Sequence, residues 1–131
     1  LDPKHWKSVV DSVEKRLLTP YGLRTLEPED KNYHPHYQGN RWERDAAYHQ
    51  GLVWPWLIGG FLDAWTKVYD DPGKVREFLK PFEKHLTEAG IGSVSEIFDG
   101  DSPYLPRGCI AQAWSVAEVL RSIINAHSAR K

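Results

Sequence analysis

The stretch Pro55-Trp56-Leu57-Ile58-Gly59-Gly60-Phe61-Leu62-Asp63-Ala64-Trp65-Thr66-Lys67-Val68-Tyr69 carries the strongest periodic signal in the chain. Leu57, Ile58, Phe61, Leu62, Trp65, Val68 and Tyr69 recur at helical spacing. They form a broad apolar face, the pattern of a core-facing helix that Pro55 opens. Gly59 and Gly60 weaken such a helix unless another backbone passes close by, so a close approach is expected there. Asp70-Asp71-Pro72 stops the helix and caps the next one.

The same spacing extends in both directions. Upstream, Asp2 can cap a helix, Pro3 suits its first turn, and Trp6, Val9, Val10, Val13 and Leu17 share a face. Thr19-Pro20-Tyr21-Gly22 supplies turn residues to end it. Downstream, Val75, Phe78, Leu79, Phe82 and Leu86 continue the pattern. Pro81 interrupts it, which predicts a kink or two short helices, ended at Gly90 or Gly92. A last helix is expected from about Cys109 to Ala126, with Ile110, Ala113, Trp114, Ala117, Leu120 and Ile124 on one face. No run alternates with period two. The expected fold is all-α, with four or five helices. Residues 20–51 and 91–108 are its long loops, gathering at one end of helical hairpins where a site can sit.

The length of 131 residues fits a single domain, 1–131. A formal net charge of -1 leaves no basic footprint for nucleic acid. There is no signal-peptide pattern, and no apolar run is long enough to span a bilayer. Cys109 is the sole cysteine, so no internal disulfide can form and a reducing, cytoplasmic setting is favoured. Leu1-Asp2-Pro3 does not read as an initiation site, and further sequence is expected before it. Six Trp and six Tyr stand out in so short a chain; most are expected to fill the core, but such rings also make platforms for sugars.

Two segments can carry chemistry. In Ser93-Val94-Ser95-Glu96-Ile97-Phe98-Asp99-Gly100-Asp101, apolar neighbours flank Glu96. Such flanks can desolvate a carboxyl group and raise its pKa, which suits acid–base work. Asp99 and Asp101 can orient water or hydroxyls; a solvated acidic loop or a helix cap fits the same residues. The second segment, 42–56, is denser in functional types: Trp42, Arg44, Asp45, Tyr48, His49, Gln50, Trp54 and Trp56. Aromatic walls with a few fixed polar groups are the make-up of a neutral-sugar pocket. An Arg44–Asp45 surface pair with core tryptophans is the plainer alternative. His34-Pro35-His36, with Asp45 and His49, lacks a second ligand pair at standard spacing, so no metal and no cofactor are expected. No motif pairs Cys109 with His85 or His127 as a nucleophile, and no Gly-rich phosphate loop occurs.

Four blocks in order resemble a known family. They are Thr19-Pro20-Tyr21-Gly22-Leu23-Arg24-Thr25-Leu26; Tyr48-His49-Gln50-Gly51 with Trp54-Pro55-Trp56; Ser95-Glu96-Ile97-Phe98-Asp99-Gly100; and Arg107-Gly108-Cys109-Ile110-Ala111-Gln112-Ala113-Trp114-Ser115. Over residues 17–123 the chain resembles the carboxy-terminal region of amylo-α-1,6-glucosidases, the glucosidase part of glycogen debranching enzymes. The resemblance implies part of a toroid of six α/α hairpins and hydrolysis, with inversion, of α-1,6-linked glucose at branch points of glycogen or branched maltodextrin. It makes Glu96 the general base. Trp42, Arg44, Asp45, Tyr48, His49, Gln50, Trp54, Trp56 and Asp99 become glucose-binding residues, with Gln112 and Trp114 closing the far wall. The family's general acid, an Asp, matches no position here, and Leu52 stands where a small polar residue is expected. The chain alone is therefore expected to be inactive. Its expected partners are an α-glucan, the missing N-terminal part of the same domain, and further copies of itself through an exposed apolar face. A non-catalytic carbohydrate-binding module, or a helical interaction domain with core tryptophans, are the alternatives.

Overall fold

The structure, a computed structural model, describes residues 2–128. Its first element is a 3-10 turn, Pro3–His5, whose cap Asp2 accepts from the Lys4 backbone N–H at 3.1 Å. Helix α1 follows over Trp6–Arg16. The periodic stretch at the centre forms α3, Leu57–Tyr69, after α2, Arg41–Ala47. Asp70 ends α3 in the left-handed region (φ 49°), and its N–H reaches the Thr66 carbonyl. Asp71 then caps α4, Pro72–Leu79, accepting from the N–H groups of Gly73 and Lys74. As Pro81 requires, the chain breaks there and α5 is a separate short helix, Pro81–His85. The last helix, α6, spans Ala113–Ser128.

Helix α3 packs against α1, α4 and α6. It buries Ile58, Phe61, Leu62 and Trp65 among Val10, Val75, Leu79, Phe82, Val119 and Ala126. Each fully buried side chain of this size contributes about 1.5–3 kcal/mol relative to exposure. Trp65 satisfies its indole N–H by donating to Glu14 at 3.0 Å.

The all-α expectation is corrected by a five-stranded antiparallel sheet of order β1-β2-β3-β4-β5. The strands are β1 Leu18–Thr19, β2 Gly22–Arg24, β3 Val53–Trp54, β4 Ile97–Phe98 and β5 Pro106–Arg107. Strands of two or three residues are too short to display a period of two, which hid them in the sequence. The first hairpin turns at Pro20 and Tyr21, where Thr19 Oγ1 donates to the Gly22 carbonyl at 2.9 Å. The two long segments are thus not plain loops. Strand β2 of the first segment and strands β4 and β5 of the second join one sheet, bridged by β3 between them. A second, smaller core lies there, built from Ala47, Leu52, Trp54 and Ile97.

Three smaller expectations also change. Pro55 precedes α3 in a turn and does not open it. At Gly59 the close neighbour is a side chain: an added Cβ would overlap Glu118 Oε2, whereas Gly60 faces open space. The helix after Pro81 ends at His85, before the glycines, and Gly92 instead donates to the Leu86 carbonyl at 2.8 Å.

Helix α6 begins four residues later than expected because residues 109–112 are already engaged. The Cys109 carbonyl accepts from the Glu96 N–H, the Cys109 N–H donates to the Glu96 carboxylate, and Gln112 N–H donates to the Val94 carbonyl at 2.9 Å. This helix buries small residues, Ser115, Val119, Ser122 and Ala126. It leaves Trp114, Leu120 and Ile124 half exposed, at 50%, 53% and 54%. The larger side chains face outward. Among the described residues, no helix is long and apolar enough to cross a membrane.

Candidate active site

Glu96 stands where the two long segments meet. Its backbone is fixed from both sides: its N–H donates to the Cys109 carbonyl at 2.9 Å, and the preceding Ser95 N–H donates to His85 Nε2 at 3.1 Å. Strand β4, which follows, is held between β3 and β5. Val94, Ile97 and Phe98 are buried, so the apolar flanks serve as anchors, while the carboxylate itself is only half-buried.

The carboxylate is cradled by donors. Tyr48 donates its hydroxyl to Oε1 in a short hydrogen bond, and Cys109 N–H donates to Oε2 at 2.8 Å. Burial pushes the Glu96 carboxyl upward, but the bonds from Tyr48 and from the Cys109 N–H and thiol outweigh it and hold the pKa below the ordinary range. The expected upward shift is thereby corrected: Glu96 is held ionised. Burial and the bond to Glu96 push the Tyr48 phenol up, so it remains a donor. The Glu96 charge likewise raises the Cys109 thiol. Gly108 makes this cradle possible. It adopts φ +66°, and a Cβ there would stand 2.4 Å from Glu96 Oε2.

Around Glu96 the structure assembles an aromatic cluster. Tyr48 packs edge-on against Trp54 and against His49, with centroids 4.8 Å apart in both pairs. His49 stacks on Trp54 at 5.3 Å and 13°. Trp114 lies 6.1 Å from Trp54 and 5.9 Å from Trp56. Trp54 is buried and donates its indole N–H to the Tyr48 carbonyl at 3.0 Å, whereas Trp56, Trp114 and His49 are exposed. Gln112 is joined to this site through the Val94 carbonyl.

The remaining candidates lie further out. Trp42 is 80% exposed on α2, and Asp45 pairs with Arg41 at 3.6 Å, so the Arg44–Asp45 pair does not form. Arg44 instead donates to the Gly39 carbonyl at 2.9 Å and lies over Tyr37, whose ring is 5.9 Å from that of Tyr48. Gln50 is exposed, and its carbonyl accepts from the His34 N–H. Asp99 is buried and committed: Arg107 donates to both its oxygens at 3.2 and 3.0 Å, and Tyr37 N–H to one at 3.0 Å. Asp101 accepts from the Tyr33 hydroxyl at 2.9 Å. His34 turns Nδ1 to the Tyr33 carbonyl, and His36 Nδ1 lies 3.6 Å from Asp99.

Residue-by-residue reading missed Tyr37, His85, Arg107 and Gly108 as parts of this site. The Asn40-x-x-Glu43 capping box, which starts α2, was legible and overlooked: Asn40 Oδ1 accepts from Glu43 N–H while Glu43 accepts from Asn40 N–H.

The sequence model of the amylo-alpha-1,6-glucosidase family matches residues 1–121. The chain is also 39% identical over 141 aligned residues to the glycogen debranching enzyme of Saccharomyces cerevisiae. That alignment takes in 90% of this chain and 9% of the yeast protein, so the chain spans about a tenth of that relative's length.

Proposed function

The chain belongs to the amylo-alpha-1,6-glucosidase family, and on that footing we propose that it supplies the general-base half of an inverting α-1,6-glucosidase site. One observation carries the reading: the Glu96 carboxyl accepts from Tyr48 and Cys109 at the edge of a cluster of aromatic rings. A base must be unprotonated when water is activated; the donors that lower the Glu96 pKa keep it so, while making it a weaker proton acceptor than a raised pKa would. The rings of Trp56 and Trp114 offer apolar faces for a pyranose, and His49 and Gln112 offer polar atoms nearby. Trp54 supports this surface from beneath, and Asp99 acts by fixing the loop through Arg107. Trp42, Arg44, Asp45 and Gln50, which form no hydrogen bond with Glu96, would meet more distant sugar units. The substrate class is a branched α-glucan.

Inversion needs a second carboxyl about 6.5–9.5 Å from the base, protonated to assist the leaving group. The other acidic side chains of the site segments already have partners: Glu43 the Asn40 N–H, Asp45 Arg41, Asp99 Arg107 and Asp101 Tyr33. The acid would therefore come from another part of the domain. The outward apolar face of α6 gives that part a surface to pack on, and it is also where isolated chains would self-associate. The test is glucose release from an isomaltosyl-type substrate. The chain alone should release none, and the chain joined to the upstream part of a family domain should release the β-anomer first. Release by the chain alone, or of the α-anomer, would refute this reading.

A further inference from the structure

The segment that carries Glu96 is anchored to the helices through a buried histidine. His85 is fully buried, packed against Phe98 at 4.7 Å and Tyr21 at 5.8 Å. Both ring nitrogens are engaged. Ser95 N–H points to Nε2 at 3.1 Å, and Nδ1 lies 3.2 Å from Glu88 Oε2. A backbone N–H can only donate, so Nε2 must carry a lone pair. The proton then sits on Nδ1, where Glu88 accepts it. The bond from His85, with a smaller contribution from Lys84 at 3.4 Å from the other oxygen, holds the Glu88 carboxyl below its ordinary range. Partners on both sides therefore specify one tautomer in one orientation.

Ser95 immediately precedes Glu96, and its buried N–H finds its acceptor in the imidazole, not in the sheet. The neighbouring bonds, Gln112 to Val94 and Glu96 to Cys109, tie the segment to residues 109–112. His85 ties it to the helices. We propose that His85, oriented by Glu88, is a positioning residue for Glu96: its neutral Nδ1–H imidazole fixes the peptide from which the carboxylate projects toward Tyr48 and Cys109. Its consequence for catalysis rests on the reading of Glu96 as base; its consequence for geometry does not.

Cys109 allows the geometry to be read without any hydrolysis. Its thiol is exposed, and the Glu96 charge suppresses its ionisation. The experiment follows alkylation of Cys109 by iodoacetamide against pH in the 131-residue chain. Glu96→Gln should accelerate the reaction several-fold near pH 8 and move the pH–rate midpoint downward. His85→Leu should reproduce that profile, because the carboxylate leaves the thiol. His85→Gln, whose side-chain carbonyl can accept from Ser95, should retain the wild-type profile. A folded His85→Leu protein with the wild-type profile would overturn the proposal, as would a His85→Gln protein that behaves like His85→Leu. If His85→Leu does not fold, the wild-type tautomer decides. Long-range 1H–15N spectra should place the His85 proton on Nδ1, and a proton on Nε2 overturns the proposal. If the thiol profiles respond as stated while Glu96→Gln leaves hydrolysis intact in a completed domain, the anchoring stands and the assignment of the base fails.

Discussion

Tyr48→Phe removes one oxygen from the Glu96 cradle and leaves the ring between His49 and Trp54 in place. The change therefore isolates a single hydrogen bond to a carboxylate. Such a bond contributes about 1.5–3 kcal/mol when well shielded. Tyr48 and Glu96 are only half-buried, so water competes for both, and about 1 kcal/mol is the discounted value. The sign of its pH dependence follows from the carboxyl group. Glu96 has a folded-state pKa below its ordinary value, so its stabilisation is present above that ordinary value. It is lost as pH falls through the depressed folded value. Without the Tyr48 hydroxyl, burial regains weight and the Glu96 pKa rises. The deficit of the variant should thus be largest at neutral pH and should narrow as acid protonates Glu96. Urea denaturation followed by circular dichroism, repeated from pH 7 downward, measures the deficit. A carboxyl 13C titration of Glu96 measures its cause. A deficit that stays constant across the carboxylate range, or a Glu96 titration that does not move upward, would refute the reasoning.

Gly108→Ala forces a side chain into the left-handed region and into the space of Glu96 Oε2; it should cost about 1–3 kcal/mol in thermal denaturation and speed Cys109 alkylation. Asp99→Asn leaves Arg107 without its two-pronged carboxylate partner in a buried setting, and should cost about 3 kcal/mol by urea denaturation. Leu120→Glu changes a half-exposed position on α6, so stability should stay within about 0.5 kcal/mol while self-association, followed by sedimentation velocity, falls.

What was legible in the sequence depended on length and on partners. The helices of 11 to 16 residues repeat their apolar positions often enough to be read; Pro72 marks one break, and Pro81 another that the sequence left open between a kink and two helices. The strands could not be read: Leu18–Thr19 is a local hairpin arm too short to show a period of two, and Ile97–Phe98 takes its identity partly from Val53, far away in sequence. The same holds for the site. Glu96 stood out through its flanks, but those flanks predicted the wrong direction for its pKa, since Tyr48 and Cys109 approach from 48 residues before and 13 residues after. Asp99 looked equally available, and only the fold reveals Arg107 closing over it. His85 carried no signal at all, since its meaning lies in a contact to Ser95 across the turn that follows α5.

The central claim is that Glu96 is the base of a glucosidase site. Its most direct test is glucose release from an α-1,6-branched glucan by the chain joined to the upstream part of a family domain, compared between the natural sequence and Glu96→Gln. General-base assistance is worth about 10²–10⁴ in rate. A loss of that size, with maltooligosaccharide binding retained by tryptophan fluorescence, is the predicted result. Hydrolysis within a few-fold of the natural sequence would contradict it.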